Sequence, residues 1–330
     1  MTYKVLFINP LADYVEGLHA ATPQGFSLVV MDPAATIAEL CSEAEDADFI
    51  ISGIDVPEKV FRAANQAKFI QYMSSGYGQL PLAVLNDLAI PVAQMKTHSI
   101  SVAEHAITLI LSLLRRIPAS TQLLREGKWR QDLQEASYAE LYGKTVGIVG
   151  LGNIGRWVGK VVHHGFGANV IFYDNAEIPM TVTELISAKQ VSLETLMRES
   201  DVVSVSLPLN DGTSKLIGEA ELSLMKESAV LVNVGRGEVI DEEALLSALT
   251  GKKIAGAGLD VFDSEPLNLE SKLLDLPQVI CTPHMAGVGW ENVQRRIATV
   301  WENINSVLQN EVPRGVVTDI KRAPAIAAAR

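Results

Sequence analysis

Three side chains suited to polarising and acid–base chemistry stand just beyond short apolar runs in the second half of this 330-residue chain. Arg236 lies in Val232-Asn-Val-Gly-Arg236-Gly237, where the glycines on either side let a ligand come close. Glu265 lies in Gly258-Leu-Asp260-Val-Phe-Asp-Ser-Glu265-Pro266, and His284 closes Cys281-Thr-Pro283-His284. A guanidinium holds a carboxylate and polarises a carbonyl through its planar fork of donors. A carboxylate on one ring nitrogen keeps an imidazole protonated and aimed. Such a set suits carbonyl reduction, which needs a cation for the oxygen and a proton for the developing alkoxide. The alternative is three independent loop charges. Among the other histidines, His19 reads as solvated and His163 and His164 as surface or capping residues. His105 reads as a packing or interdomain hydrogen-bonding residue.

A reductant is implied by Gly150-Leu-Gly152-Asn-Ile-Gly155, which directly follows an apolar run and opens a helical pattern. The first glycine permits the tight turn, the second lets a pyrophosphate approach the backbone, and the third lets helix and strand pack closely. The helix start then offers N–H groups to the phosphates. Asp174 ends the next strand, 19 residues beyond Gly155, where a carboxylate can accept from the adenosine ribose hydroxyls. It would repel the extra phosphate of NADP, and Asn175 and Ala176 bring no arginine to receive one, so NAD is favoured.

Two alternating series of strands and helices must position these groups. The first holds strands at Val5–Ile8, Leu28–Met31, Phe49–Ser52, Phe69–Met73 and Pro91–Gln94, with Thr36-Ile-Ala-Glu39 as a capping box. The second opens with a helix over Ser101–Leu114, ending at Arg115-Arg116 before Pro118. Its strands are Thr145–Val149, Asn169–Tyr173, Val202–Leu207, Ala229–Val234, Ile254–Leu259 and Val279–Thr282. A helix over Ile154–His163 follows the glycine turn, and another over Glu291–Leu308 follows the last strand. Junctions near Ser99 and Val288 divide the chain, and Val312–Arg330 reads as irregular with an alanine-rich end.

The balance of charge is acidic: 27 Lys and Arg against 39 Asp and Glu give −12 at pH 7. Such a surface repels nucleic acid and anionic membranes, so neither is an expected partner. Cys41 and Cys281 alone support neither a disulfide framework nor a zinc cluster, and no metal is expected. The apolar stretch Ala106–Leu114 falls short of a membrane span. These features fit a cytoplasmic protein of two domains.

The sequence resembles the D-isomer-specific 2-hydroxyacid dehydrogenases over about residues 48 to 310. The resemblance rests on Ser101-Val-Ala-Glu104-His, Leu141-Tyr-Gly-Lys-Thr-Val-Gly-Ile-Val-Gly150, Ser206-Leu-Pro208-Leu, Asn233-Val-Gly-Arg236-Gly, Gly258-Leu-Asp260-Val-Phe and Thr282-Pro-His284. It implies an α/β protein of two doubly wound parallel-sheet domains. A Rossmann NAD-binding domain (99–287) is inserted into a flavodoxin-like substrate domain (1–98 with 288–330). It implies NAD-dependent reduction of a small 2-oxo acid to the D-2-hydroxy acid by a homodimer, with Arg236, Glu265 and His284 as the catalytic triad. Cofactor contacts then fall on Gly150, Gly152, Asn153, Ile154, Gly155, Asp174, Leu207, Pro208, Thr213, Val234, Arg236, Asp260, His284 and Gly287, with Asp260 beside the nicotinamide carboxamide. The substrate carboxylate falls to Ser75, Gly76 and Tyr77, together with Arg236. Neither Arg nor Lys stands just ahead of that loop, which favours a non-phosphorylated substrate. Glu265 argues against a formate dehydrogenase, which carries Gln in that role. Two alternatives are a dehydrogenase of phosphite or another substrate on the same scaffold, and a dinucleotide-sensing protein resembling the C-terminal-binding-protein corepressors.

Overall fold

The computed structural model describes residues 2–8, 12–32, 34–74, 80–132 and 138–319. The chain divides into two compact units, Met1–His98 with Val288–Arg330 and Ser99–Gly287. The first unit holds β1 (Tyr3–Ile8), β2 (Phe26–Met31), β3 (Phe49–Ser52), β4 (Phe69–Tyr72) and β5 (Val92–Gln94). Its helices are α1 (Ala12–Ala21), α2 (Ile37–Ala44), α3 (Glu58–Ala63) and α4 (Leu82–Asp87). The second unit opens with α5 (Ser99–Leu114) and α6 (Ile117–Arg125). Its sheet comprises β6 (Thr145–Val149), β7 (Asn169–Tyr173), β8 (Lys189–Gln190), β9 (Val202–Val205), β10 (Val230–Asn233), β11 (Gly256–Leu259) and β12 (Val279–Cys281). Between these strands run α7 (Asn153–Phe166), α8 (Met180–Leu185), α9 (Leu193–Glu199), α10 (Glu219–Leu224) and α11 (Glu242–Thr250). The last helix, α12 (Trp290–Leu308), belongs to the first unit.

Both sheets are parallel throughout, in the orders β2-β1-β3-β4-β5 and β12-β11-β10-β9-β6-β7-β8. The first is the flavodoxin-like order; the second is the Rossmann order with one strand added at an edge. Central strands such as Phe49-Ile-Ile-Ser52 and Val230-Leu-Val-Asn233 are buried at every position. That is why they read as continuous apolar runs: helices cover both faces of a parallel sheet. The capping box of α2 forms as expected, with the Thr36 Oγ1 accepting from Glu39 N and the Glu39 carboxylate accepting from Thr36 N.

One expectation needs correction. The second sheet has seven strands, because the exposed pair Lys189-Gln190 adds an edge that carries no apolar signal. Helix α5 ends at Leu114 as expected, and Pro118 sits in the first turn of a further helix, α6, where a missing N–H costs nothing. The stretch 312–319 forms no helix or strand, as expected, and is tied down by an isolated antiparallel bridge of Val316 to Ala93 and by Thr318 Oγ1, which accepts from Val92 N at 2.9 Å. The alanine-rich end lies outside the described residues. Among the described residues, no helix is long and apolar enough to cross a membrane.

Helix α5 lies unusually close to the sheet. A Cβ on Gly258 would stand 3.0 Å from Leu109 Cβ, and one on Gly256 would stand 3.3 Å from Leu113 Cδ2. The two glycines of β11 thus form a trough for Leu109 and Leu113. His105 lies one turn before Leu109 on the same helical face.

Candidate active site

The strand order of the second sheet reverses between β6 and β9, and ligands of open α/β sheets bind outside the strand ends at such a point. Gly150 leaves β6 at φ +95°, and a Cβ there would run into Leu207 Cδ2 at 2.7 Å. A Cβ on Gly155 would lie 2.2 Å from the Gly150 carbonyl oxygen, so the first turn of α7 rests directly on the glycine loop. Gly152 differs: nothing lies within 4 Å of its Cβ position, and no side chain caps α7. Asn153 is exposed there, while Ile154 is partly buried against the core. An open approach to an uncapped helix start fits the pyrophosphate of a dinucleotide.

Asp174 is tied to this loop. Its Oδ2 accepts from Leu151 N at 2.8 Å and its Oδ1 from Ala176 N at 2.9 Å. Each carboxylate oxygen retains further acceptor capacity for a ribose hydroxyl. Across the reversal, Leu207 is buried against Gly150 and Pro208 is exposed. The Thr213 hydroxyl donates to the Pro208 carbonyl at 2.6 Å and accepts from Asn210 N at 2.8 Å, which fixes that loop.

Arg236, Glu265 and His284 follow β10, β11 and β12, three neighbouring strands of one sheet. Two strand spacings separate the outer pair, roughly 10 Å. Buried Asn233 shapes the arginine loop: its Oδ1 accepts from Gly235 N at 3.0 Å and its Nδ2 donates to the Arg236 carbonyl at 2.9 Å. Val234 is buried beneath that loop, and Arg236 itself donates to the Gly235 carbonyl at 2.7 Å. Gly237 touches the next loop, because a Cβ there would overlap the Phe262 carbonyl carbon at 1.9 Å. Phe262 N in turn donates to Glu265 Oε1 at 3.1 Å, and Glu265 Oε2 meets His284 Nδ1 at 2.6 Å. A carboxylate only accepts, so Nδ1 carries the proton and Nε2 is left for a ligand. His284 adopts φ +49°, a left-handed conformation that costs a non-glycine residue energy and persists only where neighbours impose it.

Asp260 supplies part of that constraint. It is 1% exposed, and its oxygens accept from Thr282 Oγ1 (2.6 Å), Met285 N (2.9 Å) and Ala286 N (2.8 Å). The sequence reading found Asp260 but missed Asn233 and Thr282. An Asn two residues before a glycine was the available signal for the first. His105 is hydrogen-bonded as expected, but within its own unit, to Thr282. His163 and His164 stand in the last turn of α7, with ring nitrogens on the carbonyls of Ala168 and Leu185 outside that helix. Gly287 is half-buried at the end of the His284 turn. Ser75, Gly76 and Tyr77 lie outside the described residues. Burial pushes the Cys281 thiol up to about 11, with Glu242 adding to the effect, so this cysteine is no nucleophile at neutral pH.

Residues 107–286 match the D-isomer specific 2-hydroxyacid dehydrogenase, NAD binding domain. A glyoxylate reductase of Korarchaeum cryptofilum is 34% identical over 84% of this chain and 85% of its own length. The chain belongs to the D-isomer-specific 2-hydroxyacid dehydrogenases. A Pectobacterium carotovorum glyoxylate/hydroxypyruvate reductase B is 32% identical over 96% of this chain and 98% of its own. Among solved structures, the holo form of Rhodotorula graminis D-mandelate dehydrogenase superposes with TM-score 0.85 at 27% identity, covering 97% of this chain and 99% of that one. A member from Lactobacillus delbrueckii, solved with NAD, gives TM-score 0.82 at 26% identity over 96% and 100%. As a member of this family the protein is an NAD-dependent oxidoreductase that reduces 2-oxo acids to 2-hydroxy acids. Its glycine loop, open helix start and Asp174 carboxylate fit that cofactor.

Proposed function

We propose that this dehydrogenase interconverts a small, non-phosphorylated 2-oxo acid and its D-2-hydroxy acid, with Arg236, Glu265 and His284 as the groups that act on substrate. The observation that carries this reading is the 2.6 Å contact between His284 Nδ1 and Glu265 Oε2, on the strand next to the arginine loop. NADH, when bound, supplies the hydride. Protonated His284 gives its Nε2 proton to the carbonyl oxygen, and Glu265 stabilises the imidazolium and keeps it facing one way. The Arg236 guanidinium draws electron density from that oxygen and pairs with the substrate carboxylate. In the reverse direction neutral His284 takes the hydroxyl proton. Dinucleotide contacts are assigned to Gly150, Gly152, Asn153, Ile154, Gly155, Asp174, Leu207, Pro208, Thr213, Val234, Arg236, Asp260, His284 and Gly287.

NADH oxidation against glyoxylate, hydroxypyruvate, pyruvate, aryl and branched 2-oxo acids and one phosphorylated oxo acid tests the substrate class. Turnover of about 1–10³ s⁻¹ is expected with at least one unphosphorylated acid, yielding the D product. Oxidation of phosphite in preference to every hydroxy acid, or no turnover at all, would overturn the reading. The same reading includes a homodimer. Its support is α6, which buries none of its own residues and carries Ile117 and Leu124 at 53% and 57% exposure, with Trp129 just beyond it at 65%. Exposed apolar surface of this kind marks an association face. Sedimentation is expected to give twice the chain mass, and a monomer at micromolar concentration would contradict it.

A further inference from the structure

Helix α5 contributes a residue to the site although it carries none of the three groups assigned to chemistry. His105 Nε2 lies 2.9 Å from Thr282 Oγ1, and that hydroxyl lies 2.6 Å from Asp260 Oδ1. The direction of the chain of hydrogen bonds follows from atom types. An ionised carboxylate cannot donate, so the single hydroxyl proton of Thr282 points to Asp260. The same oxygen then accepts from His105, whose Nε2 must bear a proton. His105 Nε2 is also 3.5 Å from Asp260 Oδ1, so the two residues share one buried corner. Asp260 holds the N–H groups of Met285 and Ala286, and its own carbonyl accepts from His284 N at 2.9 Å. The backbone at φ +49° that aims His284 is therefore fastened on both sides by one acid.

We infer that His105 and Thr282 are positioning residues for His284: they fix the rotamer of Asp260 and so hold the left-handed turn that presents the imidazole. The placement is built from the sheet outward. Gly256 and Gly258 admit Leu113 and Leu109, and the next turn of α5 toward the strand ends delivers His105 to Thr282. With His105 replaced by an apolar residue, the Thr282 hydroxyl loses its donor and Asp260 gains freedom to turn. The His284 ring then strays from its productive aim, and small displacements of a reacting group cost up to about a hundredfold in rate.

This inference rests on the assignment of His284 as the proton-transfer residue, and the experiment separates the two. His105→Leu, His105→Gln, Thr282→Val and Thr282→Ser are compared with His284→Gln for kcat, NADH Kd and thermal midpoint. Gln retains an N–H donor and Ser a hydroxyl. The apolar variants are expected to lose about ten- to hundredfold in kcat and distinctly less in NADH affinity, while the Gln and Ser variants recover most of the kcat loss. The double variant His105→Leu/Thr282→Val should be no slower than the worse single variant. Equal rates for the apolar and polar members of each pair would overturn the inference, as would parallel losses of kcat and NADH affinity. Should His105→Leu not fold, the Thr282→Val and Thr282→Ser pair decides the matter alone. Normal turnover by His284→Gln would instead remove the assignment on which the inference rests.

Discussion

His284 combines a strained backbone, an acid on Nδ1 and an open Nε2, and each of these has a separate origin in the sequence. The imidazole and its partner Glu265 were legible because each ends or follows an apolar run, where strand ends of an α/β sheet face ligands. Thr282 and His105 were not, since their roles depend on contacts between segments 177 residues apart, whereas Asn233 acts within its own loop, on Gly235 N and the Arg236 carbonyl. Asp174 was legible as a ribose acceptor by its distance from the glycines, but its grip on Leu151 N emerges only once β6 and β7 are paired. Asp174→Ala is therefore expected to weaken NADH binding by about tenfold or more and NADPH binding much less, measured by fluorescence titration. Equal losses for the two nucleotides would remove Asp174 from the ribose site.

Elements with long apolar runs were found within a residue or two, since burial on both faces leaves β3, β6 and β7 no polar alternation to confuse. The exceptions have physical reasons. β8 is a two-residue polar edge, and α6 begins after Arg116 turns the chain at φ +48°, which a proline rule alone reads as an ending. The glycine loop yields a contrast between two substitutions. Gly155→Ala forces a methyl against the Gly150 carbonyl, so stability should fall by about 1–3 kcal/mol, read as a lower thermal midpoint. Gly152→Ala adds its methyl to open space at φ −73°, so the midpoint should hold while NADH affinity drops. Undiminished NADH binding by Gly152→Ala would refute the phosphate assignment to that helix start.

At the scale of the whole molecule, the first unit is made from both ends of the chain, and α12 packs its buried face on α1 and the sheet. The closure is specific. Buried Asn303 donates to Gln71 Oε1 at 2.7 Å and accepts from Arg314 N at 2.8 Å, while Gln71 donates to the Ala93 carbonyl at 3.0 Å. The two ends were readable as strands and a helix, but nothing in local patterning pairs a glutamine in β4 with an asparagine 232 residues later. Asn303→Ala leaves Gln71 and Arg314 without those partners and should cost about 1–3 kcal/mol in urea unfolding. An unchanged midpoint would show that the closure does not depend on this pair.

The most direct measurement of the central claim is the kcat of His284→Gln on the best 2-oxo acid, taken together with its NADH Kd. A proton donor held by Glu265 should be worth about 10²–10⁴ in turnover and far less in cofactor binding. Turnover near that of the unaltered protein, or a loss matched by an equal loss of NADH affinity, would contradict the assignment of the imidazole as the group that moves the proton.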